Sequence, residues 1–206
     1  MKNFKNTITW YDEHAEEYAK FSYATAQMDV IDKFVSLLPS TSKILDAGCG
    51  PGRDAAIFSQ KGAQVTGLDL SKELIKIAKN KHPDIPFIVG DFLHLPFENA
   101  TFNGVWAHAA LVHLESVEDV QKALSEFYRV LKKKGIVNVY VREQSVTEEF
   151  AIVKDKEANN ERFFRYFTME EMQGYLKEIG FTITDATFRQ SVRRKGLTWL
   201  CIFAEK

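Results

Sequence analysis

From residue 43 onward the chain alternates short apolar runs with amphipathic stretches. Lys43-Ile44-Leu45-Asp46-Ala47 has strand length and ends in glycines. Asp54 to Lys61 reads as a helix closed by Gly62, and Gln64-Val65-Thr66-Gly67-Leu68 as a second strand. Ser71 to Lys81 is a helix with Ser71 as its N-cap and Pro83 beyond its end. Phe87-Ile88-Val89 and Gly104 to His108 are the third and fourth strands. Val117 to Leu131 puts Val120, Leu124, Phe127 and Leu131 on one stripe, and Ile136 to Val141 follows Gly135 as a fifth strand. Such alternation predicts a parallel sheet with helices on both faces and right-handed crossovers.

The two ends break this rhythm. Residues 1–38 read as a helical cap, with Tyr11, His14, Ala15 and Tyr18 at helical spacing. Residues 40–141 are the core. Residues 142–165 are polar and charged and predict an inserted lid or a loop-helix. In 166–206, Thr168 followed by Glu171 is a capping-box pattern, and Gly180 stops that helix. Phe181 to Phe188 and Thr198 to Ala204 form a hairpin around Lys195-Gly196, so the last strand runs antiparallel to the rest. The expectation is one domain over 1–206 with a seven-stranded, mostly parallel sheet.

Composition narrows the class. The 206 residues carry 27% charged side chains and a net charge of -1, ordinary for a soluble globular domain and too balanced for a surface built for nucleic acid. No apolar run is long enough to span a membrane, and Met1 to Trp10 lacks an apolar leader core. Cys49 and Cys201 lie far apart and suggest neither a disulfide framework nor a metal cluster. A cytoplasmic setting is the expectation.

The sharpest local signal is Asp46-Ala47-Gly48-Cys49-Gly50-Pro51-Gly52-Arg53-Asp54, between a strand and a helix, where an open parallel sheet binds ligands. Asp69 ends the second strand, where a carboxylate can accept hydrogen bonds from a ribose diol. Asp91 follows the third strand. A nicotinamide dinucleotide fingerprint wants G-x-G-x-x-G. Here Arg53 stands at the third glycine's place, and Asp46 would face a pyrophosphate unfavourably but suits a cationic amino-acid group.

These runs, with Val65-Thr66-Gly67-Leu68-Asp69-Leu70-Ser71 and Gly90-Asp91-Phe92-Leu93-His94-Leu95-Pro96-Phe97, resemble class I S-adenosylmethionine-dependent methyltransferases over roughly residues 40 to 140. The resemblance implies S-adenosyl-L-methionine as cofactor and S-adenosyl-L-homocysteine as product. It implies that the loop Asp46, Ala47, Gly48, Cys49, Gly50, Gly52 and Arg53 passes under the methionine part. Asp69 with Ser71 would hold the ribose, and Asp91 with Leu70, Phe92 and Leu93 the adenine. Ala107 and His108 would line the methyl group, and Tyr11 and Tyr18 would close over the sulfonium.

Methyl transfer from a sulfonium needs no metal; alignment and exclusion of water supply much of the rate. His108 and His113, just past the fourth strand, are the candidate bases. Arg142, Arg162 and Arg165 in the insertion and Arg189, Arg193, Arg194 and Lys195 near the last connection sit on the ligand edge and suggest an anionic small molecule as acceptor. Arg162-Phe163-Phe164-Arg165-Tyr166-Phe167 could instead stack on RNA. A protein acceptor and a non-catalytic cofactor-binding protein are the remaining alternatives; the oligomeric state is left open.

Overall fold

Most elements form where the apolar periodicity places them. The computed structural model describes residues 2–144, 148–154, 161–191 and 196–206. Three helices come first: α1 (Lys2–Glu13), α2 (Ala15–Tyr23) and α3 (Met28–Ser36). The core runs β1 (Lys43–Ala47), α4 (Arg53–Gln60), β2 (Gln64–Asp69), α5 (Lys72–Lys81), β3 (Phe87–Val89) and β4 (Phe102–His108). A 3-10 turn, Leu111–His113, leads into α6 (Val117–Val130) and β5 (Leu131–Arg142). The chain closes with β6 (Phe150–Lys154), β7 (Glu161–Arg165), α7 (Met169–Ile179), β8 (Thr182–Gln190) and β9 (Thr198–Glu205).

Seven strands form one sheet in the order β3-β2-β1-β4-β5-β9-β8. The strands β1 to β5 pair in parallel, and β9 is antiparallel to both its neighbours. This is the Rossmann-like methyltransferase fold, with the antiparallel last strand that the hairpin predicted. One face of the sheet, including Leu45, Val105, Val139 and Ile202, is covered by Leu124 and Phe127 of α6 and Met172 and Leu176 of α7. The other, including Ile44, Trp106, Tyr140 and Phe203, is covered by Ile31 and Phe34 of α3, Phe58 of α4 and Ile75 of α5. The helix α3 therefore belongs to the core, whereas α1 and α2 lie over the carboxyl edge.

Side chains fix the helix starts. Ser71 Oγ accepts from Leu74 N, Ser116 Oγ from Asp119 N, and Thr168 and Glu171 complete a reciprocal capping box. Gly180, at φ 113°, ends α7.

The insertion differs from expectation. It is not loop and helix but an antiparallel hairpin, with Phe150 opposite Arg165 and Ile152 opposite Phe163. Phe150, Ile152 and Val153 on one arm and Phe163 and Phe164 on the other favour a pleated surface over a helix. The residues Arg193, Arg194 and Lys195 lie outside the described residues. Among the described residues no helix is long and apolar enough to cross a membrane.

The glycine loop is sterically constrained. Gly48 has φ 80°, and a Cβ there would lie 2.4 Å from Ala110 Cβ. Gly62 has a similar φ of 89° but nothing within 4 Å. Gly62→Ala should therefore cost only the left-handed backbone term, about 1–2 kcal/mol. Gly48→Ala should cost at least about twice that, because it adds a clash to the same backbone term. Urea unfolding of both variants checks this; equal losses would mean that Ala110 yields freely.

Candidate functional site

The glycine loop is held by β2. Gly48 N and Cys49 N donate to Leu68 O at 2.7 and 3.0 Å. The Asp69 carboxylate accepts from Gly50 N at 2.8 Å and from Ser71 N at 2.9 Å, so it clamps the loop and the start of α5 together. Burial pushes its pKa up, although those amides pull it down. Each carboxylate oxygen keeps a further lone-pair position, which suits a diol. Asp91 Oδ1 accepts from Leu93 N at 2.8 Å.

Asp46, at the end of β1, is 2% exposed, and its Oδ2 has no partner among the described residues. Burial, then the nearby Asp54 charge, raises its pKa well above the ordinary carboxylate value. Asp54 itself is held down by Arg53, which meets it with two nitrogens at 2.6 Å each, and it accepts from Trp106 Nε1 at 3.0 Å. Arg53 also donates to Ser22 O and Thr25 Oγ1 at the end of α2. One buried guanidinium thus serves two neighbouring carboxylates and is spent on one of them. Asp46 is left as a site for a cation supplied from outside the chain.

Beside these groups lies a cavity of about 70 Å³. Of the residues expected at the cofactor, Tyr11, Tyr18, Gly48, Gly50, Asp69, Leu70, Phe92, His108 and His113 line it. Ile8, Leu74, Ala109 and Ala110 line it too and carried no signal in the sequence beyond being apolar. Ala47 and Ala107 do not reach it: both are fully buried under α6. Cys49 packs on the α4 side, and burial raises its thiol pKa well above normal. Ser71 caps α5 and donates to Asp12 Oδ1 at 2.6 Å. Gly52, Arg53, Asp91 and Leu93 are also outside the cavity wall.

The roof is α1 with the hairpin. Tyr11 and Tyr18 meet edge to face at 4.9 Å. Asp12 Oδ1 also accepts from Glu73 N, at 3.2 Å, at the positive end of α5. Thr7 Oγ1 accepts from Phe163 N at 3.0 Å, and the Arg162 guanidinium lies 3.7 Å from the Trp10 ring centre. His113 joins the two parts. Its Nδ1 is 2.8 Å from Phe163 O, which can only accept, so Nδ1 carries a proton. Its Nε2 lies 3.0 Å from Tyr11 OH and, in the neutral ring, accepts from it. His108 makes no such pair at Nδ1; its ring stacks between Trp106 and Tyr140.

Three of the expected rim arginines are engaged within the chain. Arg189 pairs with Asp29, Arg165 donates to Glu115 O, and Arg142 sits 4.5 Å from the Tyr166 ring centre.

Residues 45–139 match the family model described as a methyltransferase domain. The malonyl-[acyl-carrier protein] O-methyltransferase of Salmonella typhimurium is 32% identical over 117 residues, which are 56% of this chain and 45% of that one. The demethylmenaquinone methyltransferase of Streptomyces griseus is 38% identical over 95 residues, 46% of this chain and 40% of that one. The chain thus spans about half the length of the curated relatives it matches. Among solved structures, the Burkholderia thailandensis 1,6-didemethyltoxoflavin-N1-methyltransferase, with bound 1,6-didemethyltoxoflavin and S-adenosylhomocysteine, superposes with a TM-score of 0.79 at 22% identity, covering 98% of this chain and 88% of that one.

Burial pushes His108 and His113 down to a pKa of about 4. In the unfolded chain a histidine titrates near ~6.5. Between these values the unfolded state binds more protons, so the stability present above pH ~6.5 is lost as pH falls toward about 4. Asp46 and Asp69, with raised values, act in the opposite sense. The clean readout is therefore the difference between proteins. From pH 7.5 to 5.5 the wild type should lose about 1 kcal/mol more than His113→Gln in urea unfolding. Parallel pH profiles would refute a buried, neutral His113.

Proposed function

We propose that this chain transfers a methyl group from S-adenosylmethionine to a small-molecule acceptor. The observation that carries this reading is the Asp46 carboxyl, buried with an unpartnered oxygen beside the glycine loop. It matches the ammonium of a methionine moiety and would repel a pyrophosphate. The carboxylates of Asp69 and Asp91 stand at the ends of the next two strands in the sheet, β2 and β3. In this reading Asp69 holds the ribose, while Leu70, Phe92 and Asp91 hold the adenine.

The bound cofactor supplies a methyl group already activated on a sulfonium. The chain's own task is to orient it and keep water out. Tyr11 and Tyr18 line the cavity, and an aromatic ring beside a cation is a favourable setting. The Tyr11–His113–Phe163 chain of hydrogen bonds holds that roof in place.

A small-molecule acceptor agrees with the names of the demethylmenaquinone and didemethyltoxoflavin methyltransferases, whereas the malonyl group in the name of the Salmonella relative is borne on a carrier protein. An anionic acceptor was suggested by the arginines; Arg142, Arg165 and Arg189 are engaged by groups of the chain itself, Arg162 lies over the Trp10 ring with its Nε unpartnered among the described residues, and Arg193 and Arg194 lie outside the described residues. The acceptor's charge is therefore left out of the proposal.

Calorimetry with S-adenosylmethionine, S-adenosylhomocysteine and NADH tests the reading. The first two should bind and NADH should not. Asp46→Asn, which keeps the shape but removes the charge, should weaken both by about 10- to 100-fold, the value of one charge-assisted hydrogen bond. Binding of NADH alone, or full affinity in Asp46→Asn, would remove the basis of the proposal.

A further inference from the structure

The sheet ends at β8, and among the described residues no strand pairs with its outer side. Hydrogen bonds of the neighbouring strand fix which β8 residues face outward. Leu197 O accepts from Ser191 N at 2.8 Å, on the β8 side, whereas Thr198 O accepts from Glu143 N at 3.0 Å, on the β5 side. Such bonds alternate along an antiparallel strand. Trp199, Cys201 and Phe203 therefore bond to β8, where they stand opposite Arg189, Thr187 and Asp185. The residues between these, Ala186, Phe188 and Gln190, turn their N–H and C=O away from the sheet. A bulge between Ile183 and Asp185 interrupts the ladder, so the regular open edge runs from Asp185 to Gln190.

Phe188 stands on this edge, level with Leu200 on the α7 side of the sheet. At 58% it is the most exposed large apolar side chain among the described residues. Thr187 and Gln190 are exposed as well. On the other side of the sheet, Asp185 and Arg189 reach α3. Lys33 Nζ donates to Asp185 Oδ2 at 2.6 Å, and Arg189 Nη2 donates to Asp29 Oδ2. These bonds use one oxygen of Asp185 and one nitrogen of Arg189.

We propose that this edge joins a second copy of the chain, the two β8 strands running antiparallel about Thr187. A strand added here must match outward-facing residues with outward-facing residues, so the twofold axis passes through a single residue. With the axis at Thr187, Ala186 and Phe188 exchange backbone hydrogen bonds with the other copy, and Arg189 stands opposite the partner's Asp185, twice by symmetry. Lys33, Asp185, the partner's Arg189 and the partner's Asp29 then follow one another in alternating sign. With the axis at Ala186 or Phe188, Arg189 would face the partner's Ile183 or the partner's Thr187, and the charges would go unmatched. Charge complementarity thus selects the register, and Phe188 is covered in it. One short strand per copy makes a small interface, below about 1,200 Å², so the association is reversible. Because β9 is antiparallel to both β5 and β8, the axis turns the two carboxyl edges in opposite directions, and no residue of β8 lines the cavity.

Sedimentation velocity on the full chain tests the contact. The average mass should rise from one chain toward two with concentration. Phe188→Lys, which sets like charges on both sides of the axis, should raise the dissociation constant by about tenfold or more. Thr187 faces its own copy in a non-hydrogen-bonded pair, with Cα atoms about 4.5 Å apart, within reach of a disulfide. Cys201 stands opposite Thr187 in the same chain, so the test uses a Cys201→Ala background. There Thr187→Cys should cross-link two chains on mild oxidation. Phe188→Cys, more exposed but off the axis, should not. A chain still monomeric at about 1 mM overturns the proposal. So does a dimer that Phe188→Lys leaves unchanged, or one that fails to cross-link at Thr187→Cys.

Discussion

Two aspartates and a single buried arginine set the terms for the carboxyl edge of this sheet. Arg53 is fully engaged by Asp54, Ser22 and Thr25, and Trp106 Nε1 adds a further hydrogen bond to the same carboxylate. Removing either partner of such a pair would leave an uncompensated buried charge, at a cost of roughly 3–5 kcal/mol. The pair joins α2, α4 and β4 at one point. It also decides the state of Asp46, which has burial and a neighbouring negative charge but no cation of its own. The ligand preference of the edge thus follows from a local imbalance of charge.

Much of this edge was legible in the sequence. The glycine loop is readable because a positive φ and the contact of Gly48 with Ala110 admit few other residues. The three strand-end carboxylates are readable because strand length and glycine spacing locate them. The helix caps at Ser71, Ser116 and Thr168 formed as local chemistry dictates, although only Ser71 and Thr168 were foreseen.

What was missed depends on long-range contacts. Tyr11 and His113 are 102 positions apart, and Thr7 and Phe163 are 156 apart. No periodicity encodes such pairs. The hairpin itself was taken for loop and helix because its arms are short and the stretch between them is charged. Arg53 stands at a motif position, and its bond to Asp54 was not legible there. The same holds for the rim arginines, whose partners Asp29, Glu115 and the Tyr166 ring were invisible in the sequence.

The place of β9 has a consequence for how the chain is made. It lies between β5 and β8 yet follows both in sequence. While β9 is still inside the ribosome, β5 has one unpaired edge, and β8 has no strand to join. Exposed edges of this kind invite pairing with other chains. The sheet can therefore close only after synthesis has passed residue 205, and a nascent chain that stalls before that point offers a sticky, incomplete sheet to its surroundings.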